Sequence, residues 1–226
     1  MKKVIIAAVL ALGALSLFGC HTSAMNREVP LQAMQQSFSG VVPCADCSGI
    51  ETSLFLQQDG TYVLQETYLG AKDGELTFAS YGSWARTADK LVLTDSKGGK
   101  RYFHPQGDNL AMLDSTGSPI VSQFNYVLKP AAQDMPKTPM TLSGMVQYSA
   151  DVASFTDCAT GKVFPLSSGN KTLEQGYLAA RKKPQELVFV SMDGHFTVES
   201  STGVGQNQKS LVADSNVKFD ASKACP

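Results

Sequence analysis

Short runs in which apolar and polar positions alternate fill the chain from Ser37 to Leu128. Each run has the period of two that is typical of a β-strand with one buried face. Turn-forming segments separate several of them, at QQDG before Thr61, DSKGG before Lys100 and DSTGS before Pro119. The predicted strands are SFSGVV, IETSLFL, TYVLQETY, FASYGSWA, KLVLTD, KRYFH, LAMLD and FNYVL. Strands joined mostly by short turns predict a meander that curls into a barrel or half-barrel.

A change of composition at 129–139 divides the chain. The segment KPAAQDMPKTP contains three prolines in eleven residues and has no apolar period, which is typical of a semi-rigid linker. We expect the regions on either side to have separate cores. The predicted boundaries are 37–128 for an N-terminal β-barrel-like domain, 129–139 for the linker and 140–226 for a C-terminal domain.

The C-terminal region follows a different order of elements. Three strands are predicted first, at TLSGMVQY, VASFTD and KVFPL, and a helical segment follows them. Two more strands, ELVFVSM and HFTVES, are predicted to meet at a turn formed by Asp193 and Gly194. Residues 201–216 read as a long loop before a final short extended piece. Three strands, a helix and two strands match the layout of the OB-fold, a five-stranded Greek-key barrel.

The helical segment is KTLEQGYLAARKK. Leu173, Tyr177 and Ala180 recur in it at helical spacing. Thr172 and Gln175 have the spacing of a capping box, in which each side chain bonds the backbone N–H of the other. We therefore predict one short helix in a chain that is otherwise mainly β.

The N-terminal residues resemble a bacterial lipoprotein signal sequence. Two lysines precede the apolar run VIIAAVLALGALSLF, which is short for a membrane span, and the run ends at LFGC. In that class the chain is cut before the cysteine, so 1–19 is the predicted signal peptide, Cys20 carries the acyl chains and 20–36 is a tether. The alternative is an ordinary signal peptide with a coincidental cysteine. His21 stands where enterobacterial inner-membrane lipoproteins typically carry Asp, so we expect sorting to the outer membrane.

Composition and motifs narrow the function classes. The chain is 43% hydrophobic and 17% charged with a net charge of −1, which fits a folded globular protein and gives no clustered basic surface for nucleic acid. The sequence lacks Gly-x-Ser-x-Gly, P-loop, Gly-x-Gly-x-x-Gly and His-Glu-x-x-His motifs. The three histidines, His21, His104 and His195, are scattered. We therefore expect a protein that is not an enzyme.

Five cysteines carry the remaining chemistry. If Cys20 is lipidated, Cys44, Cys47, Cys158 and Cys225 remain, and four cysteines in an oxidising compartment allow three pairings. A bridge between the last two would close a loop of nearly seventy residues, worth about 4 kcal/mol in the chain-entropy model.

The motif PCADC, which contains Cys44 and Cys47, has three interpretations. As a local disulfide it would constrain the unfolded chain by about 2 kcal/mol. As a metal site it lacks the second cysteine pair that zinc requires, but two thiolates suffice chemically for copper(I). As a redox centre it lacks the helix that lowers a thiol pKa in thioredoxin-like proteins. The residues alone leave these interpretations open.

Several longer stretches closely resemble the NlpE family of copper homeostasis and adhesion lipoproteins. They are GVVPCADCSGIETSLFLQQDGTYVLQETYLGA, FASYGSWARTADKLVLTDSKG, SQFNYVL, TPMTL and ASFTDCATGK. The resemblance covers nearly the whole chain after the signal sequence and weakens after about residue 200. It implies a lipocalin-like half-barrel followed by an OB-fold. It also implies the disulfides Cys44–Cys47 and Cys158–Cys225, and it favours copper at Cys44 and Cys47 as an additional role, with no cofactor required.

The function implied by the resemblance is signalling by a lipid-anchored protein that faces the periplasm from the outer membrane. The partner is the periplasmic part of the inner-membrane Cpx sensor kinase, which responds to the N-terminal domain. The signals are surface contact, faulty lipoprotein trafficking and poor disulfide formation, so the lipoprotein-sorting and disulfide-forming machineries are further expected partners. Two alternatives are a periplasmic copper-tolerance protein that uses Cys44 and Cys47, and a binder of a small apolar ligand in the barrel mouth.

Overall fold

The first eight strands form a closed barrel. The computed structural model describes residues 36–72, 74–149, 152–200 and 207–225. The barrel strands are β1 (Gln36–Val42), β2 (Gly49–Leu56), β3 (Thr61–Leu69), β4 (Leu76–Arg86), β5 (Leu91–Asp95), β6 (Lys100–Gln106), β7 (Asn109–Met112) and β8 (Val127–Pro130). Each pairs antiparallel with the next, and β8 returns to β1. The predicted meander is confirmed, and of the two predicted outcomes, a barrel or a half-barrel, the structure has the closed barrel.

The closure depends on a short pairing between the first and last strands. Phe38 faces Pro130, and Ser39 faces Lys129. Gly40 follows on β1, and a Cβ atom there would lie 2.8 Å from the carbonyl oxygen of Val127. A larger residue would therefore push β1 and β8 apart, so glycine allows the backbones to meet.

Side chains of the barrel's own strands fill its interior. The alternation along each strand sends every second residue inward, where these residues form one cluster. Its buried members are Phe38, Val42, Leu54, Leu56, Tyr62, Leu64, Leu91, Leu93, Phe103, Leu110 and Leu128. The centre of the barrel is thus a packed core, in contrast to the open cup that a small apolar ligand would need.

The second part of the chain is an OB sheet with one helix. Its elements are β9 (Met140–Tyr148), β10 (Ala153–Asp157), β11 (Val163–Pro165), α1 (Lys171–Ala180), β12 (Val188–Ser200) and β13 (Asn207–Asp220). The strands lie in the order β11-β10-β9-β12-β13. A parallel bridge between Leu166 and Leu211 brings the end of β11 to β13 and curls the sheet toward closure. The predicted OB layout is confirmed.

Two features of the last strands differ from the sequence prediction. Asp193 and Gly194 form no turn, because β12 continues through them with a shift of register against β13. Such a bulge bends a strand without ending it. Residues 207–216, predicted as loop, belong to the long strand β13, which pairs along β12. Cross-strand pairing here overrides the low apolar content of the segment.

The helix begins at Lys171, two residues earlier than the capping box predicted. Asn170 precedes α1, and no side chain caps the helix N-terminus. The Asn170 amide instead binds β13, donating to the carbonyl of Leu211 at 2.8 Å and accepting from the N–H of Ala213 at 2.9 Å. Leu173 and Tyr177 are buried as predicted. The helix is therefore positioned by its contacts to the sheet and not by the predicted box.

Candidate functional site at the contact between the barrel and the OB sheet

The tight turn between β2 and β3 presents an acidic group toward the OB sheet. The backbone N–H of Gln57 donates to the carbonyl of Thr61 at 2.8 Å, and Gly60 has a φ of 82°, which glycine adopts without strain. One carboxylate oxygen of Asp59 accepts hydrogen bonds from the Thr61 N–H and hydroxyl, at 2.9 and 2.5 Å. These bonds hold the turn and leave the second carboxylate oxygen directed at a partner.

That partner is Lys209 on β13. Its Nζ lies 3.2 Å from the free carboxylate oxygen of Asp59 and donates a hydrogen bond of 2.8 Å to the Thr61 hydroxyl. The Lys209 side chain is only 14% exposed, against 33% for Asp59. A lysine so deeply covered is uncommon unless it is paired. The two residues therefore form an ion pair that joins the barrel to the OB sheet.

Three aromatic rings surround the same ammonium. The Nζ of Lys209 lies 4.3 Å from the ring centre of Phe196, 4.8 Å from Phe164 and 5.8 Å from Tyr81. Phe164 and Phe196 belong to the OB sheet, and Tyr81 belongs to β4 of the barrel. Cations within about 6 Å of aromatic ring centres are attracted by the ring quadrupole. These three rings thus add cation–π contacts to the ion pair, and they come from both the barrel and the OB sheet.

The pKa values at this contact follow from burial and pairing. Burial alone would raise the pKa of Asp59, but the Lys209 charge and the hydrogen bonds from Thr61 together lower it below its usual value of 3.8. Burial also lowers the pKa of Lys209, and the attraction to Asp59 offsets part of this effect. The carboxylate thus remains ionised to lower pH than an ordinary aspartate and supplies the counter-charge.

Outward-facing apolar side chains of the barrel complete the contact. Phe55, Val63 and Tyr81 are at most 5% exposed although they point away from the barrel interior. They belong to one buried cluster with OB residues such as Phe164 and Phe196. The Tyr81 ring centre lies 5.0 Å from that of Phe196. The structure thus has two buried clusters, one inside the barrel and one under the OB sheet, and the second also includes these three barrel residues.

The predicted linker lies along the barrel and adds polar bonds. The Ser53 hydroxyl donates to the side-chain oxygen of Gln133 at 2.8 Å, and the Thr138 hydroxyl donates to that of Gln65 at 2.7 Å. Met135 packs against the shared apolar cluster. The segment is thus part of the contact between the barrel and the OB sheet.

The disulfide Cys158–Cys225 closes a separation of 67 residues next to this contact. Cys158 begins the turn after β10, and Thr160 in that turn shares a hydrogen bond of 3.0 Å with the Tyr81 hydroxyl. The Asp157 carboxylate holds the turn by accepting from the N–H and hydroxyl of Thr160, at 2.8 and 2.7 Å. Burial raises the pKa of Asp157. Cys225 follows β13, so the disulfide ties the segment after the last strand of the OB sheet to the turn that bonds Tyr81.

The Cys44–Cys47 disulfide lies at the opposite end of the barrel. It closes the loop after β1, whereas Asp59 follows β2, so the length of β2 separates them. Both sulfur atoms are used by the disulfide and offer no thiolate pair. Within residues 36–72, 74–149, 152–200 and 207–225, no cluster of three or more His, Cys, Asp or Glu side chains has the spacing to hold a metal ion. The donor set does not fit a copper site, and the expected copper role finds no support.

Other residues singled out from the sequence have modest roles or lie elsewhere. Cys20, His21, the predicted signal peptide and the predicted tether up to residue 35 are outside the described residues. The His195 ring nitrogen lies 2.8 Å from the Asp214 carboxylate across β12 and β13. His104 bonds the carbonyl of Asp89. In the part of the chain that the structure describes, no helix has the length and apolarity needed to cross a membrane.

The ion pair was not predicted from the sequence. Asp59 occurs in an ordinary turn motif, and Lys209 occurs in a segment predicted to be a loop. Had β13 been recognised as a strand, Lys209 and Leu211 would have been placed on one face, because residues two apart on a strand share a face. A lysine that shares the buried face of a strand with an apolar residue would have indicated a buried ion pair.

A closed eight-stranded barrel followed by an OB sheet, with one disulfide in each, defines a two-part β protein. The model of the NlpE N-terminal domain matches residues 38–123, and the model of the NlpE C-terminal OB domain matches residues 136–226. The chain therefore belongs to the NlpE family. The prediction that it is not an enzyme agrees with this membership.

Two relatives are similar over most of the chain, and a third is similar over less than half of it. Lipoprotein NlpE from Escherichia coli strain K12 is 52% identical over 231 aligned residues, which cover all of this chain and 98% of that protein. The crystal structure of the Cpx pathway activator NlpE from Escherichia coli is 56% identical, covers 85% of this chain and 98% of that one, and has a TM-score of 0.40. A putative lipoprotein from Shewanella oneidensis is 32% identical, over 43% of this chain and 88% of that one, with a TM-score of 0.36.

Proposed function

We propose that this protein is an outer-membrane lipoprotein that activates the Cpx envelope stress response through its barrel. The observation that carries the proposal is the 52% identity to the lipoprotein NlpE of Escherichia coli along the entire chain. The solved relative described as the Cpx pathway activator supports the same assignment. The partner is the periplasmic part of the inner-membrane sensor kinase.

The anchor sets where the protein resides. Acylation at Cys20 gives a three-chain lipid anchor, whereas one chain alone binds membranes only marginally. His21 directs the anchored protein to the outer membrane, and the sensor kinase lies in the inner membrane. The distance keeps signalling low while lipoprotein sorting works. When acylation or transport fails, the protein accumulates near the sensor and the barrel meets it.

The OB sheet also controls whether the barrel can contact the sensor kinase. It covers the outward-facing apolar residues of the barrel, and its long-range disulfide ties the segment after β13 to the turn that bonds Tyr81. Failed oxidation removes this constraint, loosens the OB sheet and leaves the barrel free. Contact of the cell with a surface is a third signal of the proposed function. The machineries for lipoprotein sorting and disulfide formation act upstream of the chain.

Fractionation together with a Cpx reporter tests this proposal. The Cys20→Ser protein should be soluble in the periplasm, and the His21→Asp protein should stay at the inner membrane and raise the reporter above wild type. His21→Asn is the matched control, since it has the size of aspartate without the charge, and it should sort like wild type. Outer-membrane fractionation of His21→Asp, or retention at the inner membrane without a rise in the reporter, would contradict the proposal.

A further inference from the structure

The barrel face beneath the OB sheet has an unusual composition for an outer surface. Phe55 on β2, Val63 on β3 and Tyr81 on β4 lie on adjacent strands and all point out of the barrel. In the closed form they are buried by the OB sheet. If the OB sheet moved away, these side chains would form one exposed apolar patch, and contiguous patches of this kind mark binding surfaces.

A single carboxylate gives this face its selectivity. The Asp59 side chain is fixed by Thr61 at the edge of the patch, with one oxygen left for an incoming cation. The OB sheet meets it with Lys209, whose ammonium is surrounded by aromatic rings. The face is therefore complementary to a basic side chain that is set in an apolar or aromatic surround.

The contact also has features of a surface that opens. A cleft of about 500 Å³ lies between the two parts, lined by Phe55 and Gln57 of the barrel, Val198 of the OB sheet and linker residues 132–135. Among the described residues, the bonds across the contact include the ion pair and single hydrogen bonds such as that between Tyr81 and Thr160. Interfaces between domains that mix polar and apolar groups in this way resemble transient protein–protein interfaces.

We infer that this barrel face takes two occupants in turn: the OB sheet in the closed form, and in the open form a partner protein that presents a lysine or arginine within an apolar patch. The inference rests on the proposed function, because the signalling partner is the second occupant. Lys209 then acts as an internal competitor for Asp59. The two residues of the ion pair thus have opposite roles in signalling: Lys209 keeps the barrel face covered, and Asp59 also binds the partner. If the ion pair only held the two parts together, loss of either residue would have the same effect.

The experiment compares the full-length chain with Lys209→Met, Asp59→Asn and the double variant. Lys218→Met, an exposed lysine on the same strand, and Asp108→Asn, an exposed aspartate in the β6–β7 turn, are the matched controls. Opening is measured on purified protein by maleimide labelling of an Ala79→Cys reporter, since Ala79 lies against the shared cluster. Signalling is measured by a Cpx reporter in cells. Asn at position 59 retains an oxygen that accepts from Thr61, so the turn is preserved.

Lys209→Met and Asp59→Asn should both label roughly tenfold faster than wild type, because each leaves a partly buried charge without its partner. Lys209→Met should raise the reporter several-fold, whereas Asp59→Asn and the double variant should stay near wild type. Equal rises in the two single variants, or unchanged labelling in both, would overturn the inference. If Lys209→Met opens the contact but leaves the reporter unchanged, while His21→Asp raises it, the proposed function stands and the docking inference fails. If neither raises it, the proposed function fails.

Discussion

The ammonium of Lys209 lies 3.2 Å from the carboxylate of Asp59, although 150 positions separate the two residues in the chain. Each belongs to a different part of the molecule, the first to the OB sheet and the second to a barrel turn. The pair sits beside the apolar cluster that both parts share. It thus links the packing of the molecule to the exposure of the barrel face that we propose to be functional.

The first prediction is that this ion pair makes stability depend on pH in the acidic range. The pKa of Asp59 is lower in the folded protein than its usual value of 3.8. The contribution of the carboxylate is therefore fully present above that value and is lost as the pH falls through the lower, folded-state pKa. We expect Asp59→Asn to be less stable than wild type at neutral pH, and the difference to shrink as the pH falls below 3.8 toward the folded-state pKa.

Urea denaturation of both proteins at neutral and acidic pH measures this difference. Asp108→Asn serves as the control, because its carboxylate is exposed and outside the contact. It should differ little from wild type at either pH. A gap between wild type and Asp59→Asn that is the same size at both pH values would show that the charge is not what the substitution removes.

The strands of the barrel could be predicted from the sequence because each has one buried face. The period of two in runs such as TYVLQETY identifies the inward residues, including Tyr62 and Leu64. The same reading cannot tell a half-barrel from a closed one. That outcome depends on a short contact between β1 and β8, which requires the glycine at position 40.

The contact between the barrel and the OB sheet could not be predicted from the sequence for a related reason. Phe55, Val63 and Tyr81 face outward, so an alternation argument assigns them to solvent, yet a second structural unit covers them. Lys209 lies in a polar segment that becomes a strand only through pairing with β12. The alternation along a strand predicts which of its faces is buried in its own sheet or barrel. It does not predict that a distant part of the chain covers the other face, because that depends on tertiary packing.

The second prediction concerns Tyr81, which contributes to the contact in two separable ways. Tyr81→Phe removes the hydroxyl bonded to Thr160 and keeps the ring, so we expect a loss of about 1 kcal/mol. Tyr81→Ala also removes the ring from the shared cluster, and we expect a loss of about 3–5 kcal/mol. Thermal unfolding of the two variants and of Thr160→Val measures both effects. Thr160→Val should cost at least as much as Tyr81→Phe, because it also removes the hydroxyl that donates to the Asp157 carboxylate. A clearly smaller loss for Thr160→Val than for Tyr81→Phe would contradict the assigned hydrogen bond.

The third prediction concerns a close approach inside the OB sheet. A Cβ atom at Gly144 on β9 would lie 2.3 Å from the carbonyl oxygen of Thr156 and 2.5 Å from the ring of Phe155. Gly144→Ala should therefore destabilise the sheet by roughly 1–3 kcal/mol, as overpacking does in cores. Gly169→Ala is the control, since the nearest atom to its Cβ is 3.9 Å away. Equal melting temperatures for the two variants would contradict the predicted clash.

The last prediction separates the two disulfides. In the chain-entropy model, losing Cys44–Cys47 should cost the barrel at most about 2 kcal/mol, and losing Cys158–Cys225 should cost about 4 kcal/mol. The second loss also frees the turn that bonds Tyr81 through Thr160. Cys158→Ser and Cys225→Ser should therefore raise a Cpx reporter even in oxidising cells, and Cys44→Ser should raise it less.

Single and double serine variants, assayed by the reporter and by thiol trapping, measure both parts of this prediction. The double variant Cys158→Ser with Cys225→Ser should signal like either single variant, because one bond is lost in all three. Thiol trapping should find Cys44 and Cys47 still paired in each of them. Equal reporter responses after loss of either disulfide would mean that the contact with the OB sheet does not control the barrel. A trapped bond between Cys47 and Cys158 would instead show that the two pairs exchange partners. The two stability costs could then not be assigned from the loop lengths.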